Sequence, residues 1–199
     1  MLLALFSILK GRRNARGRSA HVRQDFMDRV FIHADSLYRY ALRLTGDEHS
    51  ASDLVQETLT KAFVAFERLG PDANHRAWIF TIARNTFVSA QRRAGRLEEL
   101  SDPHNVPSRD PDVLRTIAGP HDNYRHAFDD EVLAAIHELS ETQRTAVVLC
   151  DIEGMSYDEI AAVMGCPVGT IRSRIHHGRK RLRALLAGTE HARRVRIGR

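Results

Sequence analysis

The sequence predicts an all-α protein, two small helical domains joined by a flexible linker, and three observations carry that prediction. Apolar residues recur at three- and four-residue spacing on either side of the chain's middle. No segment shows the β-branched alternation expected of a sheet. Between the periodic parts, residues 97–128 keep no sustained period and hold four prolines. The chain therefore divides into a flexible basic extension over 1–24, a first helical domain over 25–95, a linker over 96–128, a second helical domain over 129–187 and a basic tail over 188–199.

The extension begins MLLALFSILK, an apolar run too short for a bilayer, which takes about 20 residues. No positive charge precedes it and no small-residue cleavage pattern follows, so it does not read as a signal peptide. Asp25 is then expected to cap a helix with Phe26, Val30, Leu37, Ala41 and Leu44 inward, ended by Gly46. A second helix from about Ser50 to Leu69 turns Leu54, Val55, Thr58, Leu59, Ala62, Phe63 and Phe66 inward and Asp53, Gln56, Glu57 and Lys61 outward. Gly70 and Pro71 break the chain.

A third helix, from about His75 to Arg93, mixes Trp78, Ile79, Ile82, Phe87 and Val88 with Arg84, Asn85, Gln91, Arg92 and Arg93. By wheel position Trp78 is most simply a core residue of a three-helix bundle. The alternative is a stacking platform for unpaired bases, with arginines along the phosphate backbone.

In the second domain a helix starts near Asp129 or Asp130 with Val132, Leu133, Ile136 and Leu139 inward, and Ser140 is expected to cap the next, which Gly154 ends. Met155 to Leu186 then reads as helix, turn, helix. Ser156 and Glu159 stand at capping-box spacing, Ile160, Val163 and Met164 share a face, Gly165 stops the helix, and Pro167 opens the next with its φ already set. Ile175, Gly178, Leu182 and Leu185 all fall within roughly 40° of Ile171 on the helical wheel, a buried stripe. Gly169, Thr170, Arg172, Ser173, His176, His177 and Lys180 lie opposite. A basic, hydrogen-bonding face over a buried stripe is what a helix needs to reach base edges and phosphates in a major groove.

The net charge is +5, and its distribution says more than its size. Residues 76–96 hold five arginines and no acid, and residues 168–187 hold six basic residues and no acid, while the stretch between is acidic in its first half. Two separated basic stretches suggest two contacts with one polyanion. Cys150 and Cys166 lack metal-ligand spacing and are expected to be reduced thiols in a cytoplasm. Adjacent His176 and His177 point about 100° apart on a helix and are poorly placed to share a metal. No paired carboxylates, Ser/His/Asp order or Gly-rich phosphate loop occurs, so no catalytic residue, metal or cofactor is assigned. A stand-alone helix-turn-helix regulator remains the competing class.

The motifs carry a family resemblance. Residues 53–58, DLVQET, with the aromatic-rich AFVAF after them, resemble region two of bacterial sigma factors, and AWIFTIARN, 77–85, looks like the promoter-melting segment. The stretch from LSETQRTAVV through HHGRKRLRALL is similar to region four. Both halves in order, with only a Pro/Asp-rich linker between, resemble the compact extracytoplasmic-function (ECF) group. The resemblance implies a subunit that brings RNA polymerase core to particular promoters and helps open the duplex. It also implies a response to stress or envelope signals, an anti-sigma partner and a cytoplasmic, nucleoid-associated location. Asp53, Gln56 and Glu57 match the family's contact with the clamp helices of the largest polymerase subunit. Arg76, Trp78, Arg84, Asn85, Arg92 and Arg93 match its minus-ten contacts, Asn85 facing a flipped base. Ser156, Tyr157, Thr170, Arg172, Ser173, His176, His177 and Lys180 match the minus-thirty-five contacts. Two departures stand out: His177 where many relatives carry arginine, and Cys150 where a basic residue often contacts phosphate.

Overall fold

The structure, a computed structural model, describes residues 18–70, 72–100 and 130–187. Residues 1–17, 101–129 and 188–199, hence most of the expected extension, linker and tail, lie outside the described residues. Every regular element among the described residues is helical, as the periodicity predicts.

Three helices make the first bundle: α2 (Ala34–Thr45), α3 (Glu48–Ala65) and α4 (His75–Leu100), with α1 (Arg18–Arg29) packed on its side. Leu37, Tyr40, Ala41 and Leu44 of α2 meet Leu54, Val55, Leu59 and Ala62 of α3 and Ile79, Phe80 and Ala83 of α4. The Tyr40 and Phe80 rings lie edge to face at 5.2 Å, a geometry that adds to plain area burial. Phe26 of α1 makes the same contact with Phe63 at 5.2 Å and Phe66 at 5.4 Å. Gly46 ends α2 at φ 85°, and the Asp47 side chain caps α3 by accepting from Ser50 N at 2.8 Å.

The second bundle holds α5 (Asp130–His137), α6 (Glu141–Val147), α7 (Tyr157–Met164) and α8 (Val168–Leu186), with a π-helical turn, Val148–Ile152, after α6. Val132, Ile136, Ala146, Val148, Leu149, Ile160, Val163, Ile171 and Ile175 form its core. The two bundles touch through α2 and α4, and their apolar residues form one continuous cluster.

Four local expectations are corrected. Helix α1 starts at Arg18, not at Asp25: residues 18–24 lack Gly and Pro, and Asp25 sits inside the helix 3.5 Å from His21. The helix expected from 25 to 46 is broken by a 3-10 turn, Phe31–His33. Its tighter winding resets the phase of the apolar stripe between Val30 and Leu37 and leaves Ile32 65% exposed. Helix α4 runs on to Leu100, past Arg93, because its last turns are rich in good helix formers and meet no proline. Ser140 stands at the N-cap of α6 but its side chain makes no cap bond.

Candidate nucleic-acid interface

The helix-turn-helix is built from local chemistry. Ser156 Oγ accepts from Glu159 N at 3.3 Å, and Glu159 Oε2 accepts from Ser156 N at 2.9 Å, so both orphan amides at the start of α7 are satisfied. Gly165 closes α7 at φ 61°, a left-handed conformation that costs a side chain dearly. Pro167 then stands at the N-cap of α8. Ile171, Ile175 and Gly178 are buried beneath α8. Gly178 is where the helix presses on α6: a Cβ built there would lie 2.6 Å from Val147 Cγ2.

That packing turns the opposite face outward. Arg172, Ser173, His176, His177 and Lys180 are all exposed, as is Ser156 at the start of α7, while Thr170 and Tyr157 are half-buried. The two imidazoles lie edge to face, centroids 5.4 Å apart. Two other arginines of α8 are held by the protein. Arg179 grips Asp151 through Nε at 3.0 Å and through Nη2, and Arg174 donates to Cys166 Sγ at 3.3 Å. Cys150 lies beside the first of these, 3.6 Å from Arg179 Nη2, and burial, aided by Asp151, pushes its thiol up. Among the described residues no group of His, Cys, Asp or Glu is arranged to hold a metal, and no helix is long and apolar enough to cross a membrane.

The second basic stretch lies on α4, whose start Asn74 caps by accepting from Ala77 N at 2.9 Å. Trp78 is half-buried and packs on the bundle core, which fits the core reading of its wheel position. Asn85, Arg92 and Arg93 are exposed. Arg76 and Arg84, which the resemblance groups with them, face the second bundle instead. Arg76 Nη2 donates to the Glu153 carbonyl, and Arg84 Nε lies 3.5 Å from Glu141 Oε1. On α3, Asp53 and Glu57 are exposed and Gln56 half-exposed, with Asp53 3.6 Å from His49 and Glu57 2.7 Å from Lys61.

Several residues that matter to this surface were not singled out by periodicity. Val64, 74% exposed, puts an apolar group on the outer face of α3 one turn beyond Lys61. Its apolar neighbours Phe63 and Phe66 mask it in a hydropathy pattern. Arg144 Nη1 donates to Leu44 O at 2.9 Å, and its other nitrogens to the carbonyls of Ile136, His137 and Leu139, so one guanidinium serves the ends of α2 and α5. Glu153 is buried, its side chain 1% exposed, 3.5 Å from Arg39 and near Arg43 and Arg76. Burial pushes its carboxyl up against the pull of those arginines. The π turn sets this up: the amide of Glu153 reaches back to Val148 O at 3.0 Å, and the wider winding swings the side chain inward.

Comparison with known proteins accounts for both halves. The family model for Sigma-70 region 2 matches residues 32–97, and that for Sigma-70 region 4 matches residues 129–182. The ECF RNA polymerase sigma factor SigE of Mycolicibacterium smegmatis is 42% identical over 158 residues, 78% of this chain and 59% of that protein. This chain thus spans rather less than two thirds of that relative's length. The ECF sigma factor EcfG of Rhodopseudomonas palustris is 36% identical over 159 residues, 80% of this chain and 83% of that one. Among solved structures, the sigma factor RpoE of Bartonella quintana, in complex with the anti-sigma factor NepR, superposes with a TM-score of 0.70 at 33% identity, covering 83% of this chain and 98% of that one. CnrH in complex with the cytosolic domain of CnrY gives a TM-score of 0.58 at 26% identity, covering 94% and 97%. With both regions matched in order on the helices just described, the chain belongs to the ECF RNA polymerase sigma factors of the sigma-70 family.

Proposed function

We propose that the chain is a dissociable RNA polymerase subunit that directs core enzyme to particular promoters and assists strand opening, the polymerase itself supplying all catalysis. The observation that carries this reading is the outward array Arg172, Ser173, His176, His177 and Lys180 on a helix whose opposite face is buried. Such a helix reads the minus-thirty-five element in the major groove, with Ser156, Tyr157 and Thr170 at its rim. A neutral imidazole cannot make the two-pronged contact to guanine that arginine makes, so His176 and His177 favour a different upstream sequence from arginine-bearing relatives.

Downstream, Asn85 offers donors and an acceptor to a flipped minus-ten base. Trp78 supports that pocket from the core side, and Arg76, Arg84, Arg92 and Arg93 contact phosphates, which position without specifying. On α3, the acidic and amide groups of Asp53, Gln56 and Glu57 engage the clamp helices of the largest polymerase subunit. An anti-sigma partner, of the kind seen with RpoE, controls this chain by covering its region-two and region-four surfaces. In this role the protein works in the cytoplasm, nucleoid-associated while bound to polymerase.

Run-off transcription with purified core on a genomic promoter library tests the reading. The expected result is core-dependent transcripts from a set of promoters sharing two spaced elements. Tight, specific duplex binding by the free chain, with no core-dependent transcription, would replace it with a stand-alone helix-turn-helix regulator.

A further inference from the structure

Lys61 is the only lysine or arginine of α3, and it stands where two faces of the first bundle meet. Its Nζ donates to Glu57 Oε1 at 2.7 Å, one turn back on the same helix, and to Thr86 Oγ1 at 3.1 Å, across on α4. Glu57 belongs to the exposed face proposed for polymerase, and Thr86 is the chain neighbour of Asn85, the residue proposed for the flipped base. We propose that Lys61 is a positioning residue that joins these two contacts: its ammonium braces α4 against α3 at Thr86, fixing where Asn85 meets the unpaired base, and holds the Glu57 carboxylate in place for polymerase.

The Glu57–Lys61 pair alone would be an ordinary i, i+4 pair on a solvated helix face. The bond to Thr86 sets it apart. Thr86 is 2% exposed, so water hardly reaches that residue, and a buried hydroxyl left without a partner is costly. Elsewhere α3 and α4 meet through apolar groups, whose attraction has no direction and leaves axial register loosely set. A charge-assisted bond is directional and pins it. Asn85 is exposed beside Thr86 on the same turn of α4, so a slide or rotation of the helix carries its amide with it, and selective contacts tolerate only about 0.5 Å of such error. Glu57 is not used up by the brace, since a carboxylate has about four lone-pair sites and keeps capacity for a polymerase cation. The brace rests on the roles proposed above for Asn85 and Glu57, and the test separates the two levels.

Holoenzyme is reconstituted from polymerase core and the full chain, as wild type and as Lys61→Met, Thr86→Val, Thr86→Ser, the Lys61→Met/Thr86→Val double and Asn85→Ala. Fluorescence anisotropy reads binding of single-stranded oligonucleotides carrying the non-template strand of a promoter found by run-off, unchanged or with each minus-ten base substituted in turn. The base at which Asn85→Ala loses discrimination is the one Asn85 reads. At that base Lys61→Met and Thr86→Val are each expected to lose about tenfold in discrimination, the double to lose no more than either single, and Thr86→Ser, which keeps the hydroxyl, to match wild type. Titration with core should show Lys61→Met about threefold weaker and Thr86→Val unchanged. Four results overturn the brace: full discrimination by Thr86→Val, losses that multiply in the double, equal weakening on every oligonucleotide, which marks a plain phosphate contact, or unchanged core affinity in Lys61→Met. If thermal melting shows that Lys61→Met does not fold, Thr86→Val against Thr86→Ser carries the test. No core-dependent run-off by wild type, or full discrimination by Asn85→Ala, removes the underlying reading and the brace with it, whereas a wild type that transcribes and discriminates beside indifferent Thr86 variants removes the brace alone.

Discussion

Gly178 shows how much one absent side chain decides. It lies under α8 against Val147, itself 3% exposed and walled in by the core. Gly178→Ala gains about 1 kcal/mol of helix propensity but forces a methyl into a gap of 2.6 Å. Overpacking costs about 1–3 kcal/mol, and with Val147 unable to step aside the net expectation is a loss of about 1 kcal/mol. A lower melting temperature checks it, and Val147→Ala in the same chain should recover part of the loss. At the other interface Glu159 is held below the usual carboxylate range, first by the bond from Asn74 and then by the Ser156 amide. A carboxyl held low stabilises the fold above its ordinary value and loses that contribution as pH falls through the folded one. Asn74→Ala should therefore move the Glu159 titration midpoint up toward the ordinary value, read by carboxyl carbon NMR. An unmoved midpoint would mean the two bundles do not meet there in solution.

At the scale of the element, the helix-turn-helix is the most self-contained piece. Its capping box, left-handed glycine and N-cap proline all act within four residues, so they were legible in the sequence before any packing was known. Ser156→Ala should cost about 1 kcal/mol by freeing the Glu159 amide at the start of α7, measured by denaturant midpoint with an unchanged slope. His177→Ala should change the preferred upstream element and leave core affinity alone. Promoter choice that survives this change would make His177 a bystander. The elements read less well were those whose ends depend on neighbours. The 3-10 break at Phe31–His33 and the π turn at Val148–Ile152 carry ordinary helical residues, and the residues at them, Val30, Val148 and Leu149, are fully buried.

Across the whole molecule, the three faces proposed for polymerase, minus-ten and minus-thirty-five contacts sit on α3, α4 and α8. Asp53 lies on an exposed face away from the Glu153 cluster. Asp53→Arg should abolish core binding, seen by native gel shift, while the duplex contacts of α8 persist. Transcription that continues undiminished would remove α3 from the polymerase contact.

By itself the sequence determined the all-α class, the helix-turn-helix, the inward and outward faces of most helices, and the residues exposed on α8. These follow from period and capping, interactions that span one turn of helix. Only the tertiary structure decided which outward groups meet. Arg76 and Glu153 are 77 residues apart, and Arg144 and Leu44 are 100 apart. Pairing at that range is set by the angle at which helices cross and by a single π turn, neither of which any local pattern records. That is why Arg76 and Arg84 read in the sequence like the other arginines of α4, and in the fold are held by the second bundle, Arg76 by the Glu153 main-chain carbonyl and Arg84 beside the Glu141 carboxylate.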